Sequence, residues 1–336
     1  MALVIPPRLR PGDTVGLVSP SAGVAGLVPH RIDRAAAFLA SLGYKIKIAP
    51  QAIQTAGYLS GTVEERVADL RAMFADPEVR MILCTIGGNH SNQLLRHLDY
   101  DLVRRDPKIF MGYSDITVLH YAFQSQANLA TYYGPCAMTQ FAEFPTMQEY
   151  TLSSFVREVT AAGDDDPYNV PASSSWTNEL LDWFTKADLT RPRAFEENEG
   201  YEWLVSGRAS GPALGGAILS LNHLAGTRYW VDPAGTIFFL DILKTKELDL
   251  SAVDALLADL DNLWVFDGIR GLVVGRPADY GPKEIVRLKE LLLRYAGKKK
   301  YPILFNANLG HTDPILTIRY GRTIQLDAGR NLLRFG

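Results

Sequence analysis

The residues able to do chemistry fall in a few short stretches. In "KIFMGYSDITVLHYAF" (108–123), a short apolar run stops at Gly112-Tyr113-Ser114-Asp115, and an apolar-periodic segment starts at Ile116. A strand-to-helix turn there would hold the Ser114 hydroxyl out as a nucleophile, but a serine at a helix start is also the ordinary N-cap. The full Gly-x-Ser-x-Gly pattern is not met, because Ile116 stands where the second glycine belongs. In "TIGGNHSN" (85–92), Gly87 and Gly88 offer bare backbone amides at a second such turn. Glycine permits close approach of a substrate, and amides at a helix start suit an anion or a developing oxyanion.

A nucleophilic serine needs a base, and the base needs an orienting group. The chain has 6 histidines. His97, His120 and His223 fall in helical patterns, His30 at a polar helix start, and His90 in the glycine turn, where it can contact substrate. His311 differs. In "FNANLGHTDPILTIRYG" (305–321) it follows a strand, between Gly310 and a Thr-Asp-Pro turn, a loop position suited to a general base. The other reading is a turn histidine bonded to its own backbone. Asp241 ends the apolar run "TIFFLDI", so its charge is mostly buried and needs a partner. That partner is either the base or a structural cation such as Lys244, Lys246 or an arginine.

Positioning these groups requires alternating elements. Strand patterns at "TVGLVSPSA" (14–22), "YKIKIAP" (44–50), "RMILCTIGG" (80–88) and "KIFMG" alternate with helical spacing from Ile32 to Leu42, a capped helix in "TVEERVADLRAMFADPEV" (62–79) and a helix in "SNQLLRHL" (91–98). Alternation of this kind predicts a parallel sheet covered on both faces, hence an open α/β domain over residues 1–165. Residues 166–205 break the pattern. They are polar and proline-bearing, yet hold Trp176, Trp183, Phe184, Tyr201 and Trp203, too many aromatics for a disordered linker; they are read as a Trp-rich linker or lid. Residues 206–336 mix short strands with helices at 251–260 and 282–296 and form a second, strand-rich α/β domain.

Composition narrows the function classes. With 336 residues, 47% hydrophobic and 21% charged, the chain has the balance of a soluble globular protein with room for two cores. A net charge of −3 without a basic run argues against a nucleic-acid partner. No run approaches the ~20 apolar residues of a membrane span. The N-terminus lacks the pattern of a signal peptide, and the 2 cysteines, Cys84 and Cys136, sit in apolar surroundings as reduced core thiols, so a cytoplasmic setting is expected. No Cys-x-x-Cys or His-Glu-x-x-His spacing marks a metal site, and Gly87-Gly88 lacks the lysine of a phosphate loop; no metal or cofactor is expected.

The chain resembles the LD-carboxypeptidase family of serine peptidases, on the branch that includes microcin self-immunity. The resemblance runs through "RPGDTVGLVSPSA", "GYLSGTVEERVADL", "TIGGNHSNQLL", "DYDLVRRDPKIFMGYSDIT", "YYGP", "GHTDPILTIRYG" and "WTNELLDWFTKADLTRPR". It implies a Rossmann-like or flavodoxin-like parallel-sheet N-terminal domain and a strand-rich C-terminal α/β domain with the site between them, and a homodimer. It implies Ser114 as nucleophile, His311 as base, and the backbone amides of Gly88 and Asp115 as oxyanion hole. Gly87, Asn89 and His90 would line the substrate site. Trp183, or failing it Trp176, would stack on a nucleotide moiety. Two positions depart from the family pattern. Asp241 stands where the family has a glutamate, with Ile242 in place of the next acid, and Ala217 replaces an asparagine of the pocket. The expected activity is hydrolysis of an amide bond in a small peptide, peptidyl-nucleotide or related acyl conjugate. The departures leave two alternatives open: acyl transfer or cyclisation in biosynthesis, and ligand binding without catalysis.

Overall fold

The computed structural model describes residues 3–336. The chain forms two compact units, one comprising residues up to 164 with 179–194, the other residues 165–178 with 195–336. The stretch 166–205 is therefore divided: its middle part packs with the first unit and its two ends with the second.

In the first unit, strands β1 (Thr14–Val18), β2 (Lys45–Ile48), β3 (Val79–Cys84), β4 (Ile109–Gly112) and β5 (Tyr132–Tyr133) alternate with helices α1 (Pro29–Ser41), α2 (Val63–Ala75), α3 (Tyr100–Arg105) and α4 (Thr117–Ala127), and α5 (Glu149–Val159) follows. The strands are parallel, in the order β2-β1-β3-β4-β5. Residues of β1 and β4 are buried throughout, as expected of strands covered on both faces, whereas β2 lies at the edge and shows Lys45 and Lys47 to solvent. The expected α/β fold is borne out. Strand order reverses between β1 and β3, and the carboxyl ends of strands at such a reversal are where open α/β sheets place their ligands. The loops that leave β1, β3 and β4 there contain Ser21, Gly87-Gly88 and Ser114.

Local signals account for most boundaries. Thr62 and Glu65 form a reciprocal capping box that starts α2. Gly43, at φ +89°, ends α1 in a conformation that a side chain would oppose. The segment 91–98, read as a helix, forms only a 3-10 turn over Ser91–Leu94. Its first residues are held by bonds to another loop, described below, which interrupts a regular helix.

His120 lies wholly buried on α4, with Nε2 3.0 Å from the Gly112 carbonyl and Nδ1 2.9 Å from Thr131 Oγ1. Burial pulls its pKa down to about 3, against the bond to Gly112. The folded state thus refuses a proton that the unfolded chain takes up near pH 6.5. The resulting stability is complete above pH 6.5 and lost as pH falls towards 3, at about 1.4 kcal/mol per pH unit. Urea titrations between pH 7 and pH 4 should show this slope in the parent and a flatter one in His120→Gln. Equal slopes would remove His120 as its source.

In the second unit, the chain runs through β6 (Tyr168–Asn169), β7 (Ser175–Trp176), β8 (Glu196–Glu197), β9 (Glu202–Val205), β10 (Arg208–Ala217), α6 (Ile218–Asn222), β11 (Ile237–Asp241), α7 (Leu250–Asn262), α8 (Val265–Gly268) and β12 (Gly271–Gly275). It continues with α9 (Pro282–Tyr295), β13 (Ile303–Ala307), β14 (Ile318–Arg319), β15 (Thr323–Asp327) and β16 (Leu332–Phe335). One sheet has the order β6-β16-β15-β10-β11-β12-β13-β9. Its centre, β10 to β13, is parallel and its flanks are antiparallel. β11 and β12 are buried along their whole length. Gly215 sits so close to β11 that a Cβ would overlap the Phe239 carbonyl. β7 and β8 pair separately. Among the described residues, no helix is long and apolar enough to cross a membrane.

Candidate active site

The serine turn is built by β4 and α4. Gly112 closes β4 where a Cβ would press on Cys84 and Ile116 at about 3.0 Å. Tyr113 is extended, and Ser114 then takes φ +65°, a left-handed conformation that is uncommon and costly outside glycine. A 3-10 turn, Ser114–Ile116, leads into α4, and neither the turn nor α4 has a side-chain N-cap. Ser114 lies inside the turn rather than before it, so the capping reading fails. Its backbone is fixed at both ends: the N–H donates to Tyr133 Oη at 3.2 Å, and the carbonyl accepts from Thr117 Oγ1 at 2.7 Å.

The glycine turn after β3 lies directly against it. A Cβ on Gly87 would stand 3.0 Å from Ser114 Cβ and 3.3 Å from both Ser114 Oγ and the Asp115 nitrogen. Gly88 has φ +148°, and a Cβ there would overlap Ser21 Oγ. Among the described residues, neither Gly88 N–H nor Asp115 N–H donates a hydrogen bond. Asn89 is exposed and His90 half-buried. The His90 ring packs on Tyr58, centroids 4.7 Å apart. Ser114, Gly87, Gly88, Asp115 and His90 thus converge in the first unit.

His311 and Asp241 meet in the second unit. Asp241 ends β11, next to Ala217 at the end of the parallel neighbour β10. It is 1% exposed, and its Oδ1 accepts from His311 Nδ1 at 3.0 Å. Aspartate therefore reaches the imidazole despite lacking one methylene. Gly310 makes room: it has φ +94°, and a Cβ would overlap the Asp241 carboxylate. Lys244 instead pairs with Glu284 at 2.6 Å, so the structural-pair reading with that lysine fails. The His311 loop is braced by Asn308, whose Nδ2 donates to the Pro314 carbonyl at 3.3 Å, and by backbone bonds between Thr177 and Asp313 at 2.8 and 3.0 Å.

The two tryptophans lie in different units. Trp183 belongs to the first, half-buried, with the Arg31 guanidinium 4.5 Å from its ring centroid. Arg31 is 3% exposed and ion-paired to Asp188 at 2.8 Å, which fastens the tryptophan segment to α1. Burial lowers the Arg31 pKa and the bond to Asp188 opposes that. Trp176 belongs to the second unit and lies 4.8 Å from the Arg276 guanidinium. Cys84 and Cys136 are free, buried thiols, and burial raises both pKa values, that of Cys136 to about 12. Neither is a nucleophile at neutral pH. Among the described residues, no cluster of three or more His, Cys, Asp or Glu side chains could hold a metal.

Family models for the LD-carboxypeptidase N-terminal domain and the LD-carboxypeptidase C-terminal domain match residues 15–134 and 210–326. The chain belongs to the LD-carboxypeptidase family. It is a carboxypeptidase-type hydrolase of the S66 serine peptidases. Among curated relatives, the putative carboxypeptidase YocD of Bacillus subtilis is 34% identical over 96% of this chain and 95% of its own. The probable murein peptide carboxypeptidase of the same organism is 29% identical over 94% and 89%. The microcin C7 self-immunity protein MccF of Escherichia coli is 29% identical over 95% and 92%. The structure of MccF in complex with aspartyl sulfamoyl adenosine superposes with a TM-score of 0.90 at 28% identity, over 99% of this chain and 98% of that one.

Three residues that no sequence pattern singled out touch His90 of the glycine turn: Ser21 Oγ accepts from its N–H at 3.0 Å, Tyr58 packs on its ring, and Arg66 donates to its carbonyl at 3.3 Å. All three lie in the motifs "SPSA" and "GYLSGTVEERVADL" that carried the resemblance. A serine between a strand and a loop, and an arginine amid acidic residues on a helix, give no sign of their burial.

Proposed function

We propose that this LD-carboxypeptidase homologue hydrolyses an amide bond in a small peptide, a peptidyl-nucleotide or a related acyl conjugate through a Ser114-His311-Asp241 triad. The observation that carries the reading is the His311–Asp241 bond. A buried carboxylate at 3.0 Å keeps the proton on Nδ1 and leaves the lone pair on Nε2, the form a general base needs. In the reaction, Ser114 Oγ attacks the carbonyl carbon as its proton passes to His311 Nε2. The oxyanion accepts hydrogen bonds from the Gly88 and Asp115 amides, each contributing about 3 kcal/mol to the transition state. The C–N bond breaks as the imidazolium protonates the leaving amine. Water then attacks the acyl-Ser114 ester, giving a proton to His311, and the ester bond breaks as the imidazolium returns that proton to Ser114 Oγ and the carboxylic acid leaves.

The relative's complex with aspartyl sulfamoyl adenosine supports a substrate that joins an aminoacyl group to a nucleoside. Trp183 would stack on its base. Gly87, Asn89 and His90 would flank the acyl group. Ala217 makes the neighbouring pocket less polar than the family's asparagine would. The expected homodimer and cytoplasmic setting are part of the same proposal, the latter supported by the free thiols.

Incubation with aspartyl sulfamoyl adenosine and with an LD-tetrapeptide in H2-18O, followed by mass spectrometry, tests the reading. Hydrolysis places one 18O in the released acid. An amine-captured or cyclised product without the label would replace hydrolysis by transfer. Tight binding without turnover would point to a binding protein.

A further inference from the structure

Resting on that reading, we propose that the Asp115 side chain and the buried guanidinium of Arg66 are positioning residues. Together they clamp the glycine turn and so set the spacing between the two oxyanion-hole amides. Asp115 is 1% exposed, and its Oδ2 gathers three donors: Ser21 Oγ at 2.6 Å, His90 N–H at 3.0 Å and Ser91 N–H at 2.9 Å. Ser91 Oγ returns a bond to the Asp115 carbonyl at 2.8 Å. On the far side Arg66, also 1% exposed, donates through Nη1 to the carbonyls of Pro20 at 2.9 Å and His90 at 3.3 Å, and through Nη2 to Gln93 Oε1 at 2.6 Å.

The His90–Ser91 peptide is thereby held at both poles, an anion at the Ser91 N–H and a cation at the His90 C=O. The Gly87 carbonyl is taken up by Ala22 N–H at 3.1 Å. The flanks of the turn are pinned, while the Gly88 N–H is left undonated among the described residues. One residue, Asp115, then supplies one proposed hole donor from its own backbone and fixes the loop that carries the other. Asp115 Oδ1 is buried with no hydrogen-bond partner among the described residues. The two charges are also coupled: burial lowers the Arg66 pKa, and the Asp115 charge is the first effect to oppose it.

The test is the second-order rate of inactivation by a fluorophosphonate, in which serine displaces fluoride and the phosphoryl oxygen gathers negative charge in the same hole, without needing the natural substrate. Asp115→Asn keeps an oxygen where the three donors meet but removes its negative charge, and should slow inactivation by about 10²-fold. Arg66→Lys should act in the same direction. Ser21→Ala leaves two of the three bonds and should cost several-fold. The pH midpoint of inactivation should stay with the parent's in all three variants, because the base is untouched. A merely structural lesion would instead move the midpoint or lower labelling only in proportion to unfolded protein in a thermal melt. Rates within twofold of the parent in Asp115→Asn and Arg66→Lys overturn the proposal. If Asp115→Asn does not fold, Ser21→Ala decides, and an unchanged rate there has the same consequence. A parent that is not labelled at Ser114 would remove the functional reading itself, so the two failures are distinguishable.

Discussion

Ser114→Ala should lower kcat/KM by about 10⁵-fold, on the order seen when a serine nucleophile is removed from a hydrolytic triad. It should leave the affinity for substrate analogues close to the parent's. The structure explains why the fold should survive. The bonds from Tyr133 and to Thr117 involve the Ser114 backbone, which alanine retains. The φ of +65° disfavours alanine and serine alike, so the change adds little new strain. Steady-state kinetics with a thermal melt of the same sample check this. A residual activity above about a hundredth of the parent's would place the nucleophile elsewhere, since the remaining hole and binding groups alone give only modest catalysis.

Asp241→Asn should be nearly as damaging, with kcat down by about 10⁴-fold. Asparagine fits the space beside Gly310 but can turn its NH2 towards Nδ1. The imidazole then carries its proton on Nε2, where it cannot take the serine's. Asp241→Glu restores the residue typical of the family, yet it should also lose activity here. The Asp241 carboxylate already occupies the place of a Cβ on Gly310, and an added methylene must displace His311 or its loop. Comparing kcat for both variants separates the two effects. Gain of activity in Asp241→Glu would mean that the aspartate is a slack replacement rather than the acid around which this loop is built.

Much of the architecture was legible because local chemistry and tertiary packing agree. The capping box at Thr62 and Glu65, the glycine after α1 and the buried runs of β1, β3 and β4 each gave their element directly. The strand-to-helix turn at Ser114 was legible, but its function was not. Sequence alone left cap and nucleophile both open, and the left-handed φ and the uncapped helix start remove the first. β10 was hidden because "SGPALGGA" has the composition of a loop; its glycines answer to the close approach of β11, a long-range fact. The division of residues 166–205 between the units was hidden too, because it depends on Asp188 finding Arg31 across the chain. Arg66 and Ser21 carry no signal of their burial in the sequence, and their hydrogen bonds to His90 join distant parts of the chain.

Peptide mapping by mass spectrometry after fluorophosphonate treatment tests the central claim most directly. The account predicts a single phosphonyl adduct on the peptide containing Ser114, formed at least about 10³-fold more slowly in His311→Ala. An adduct on any other residue, or labelling of Ser114 at the parent's rate without the imidazole, would contradict it.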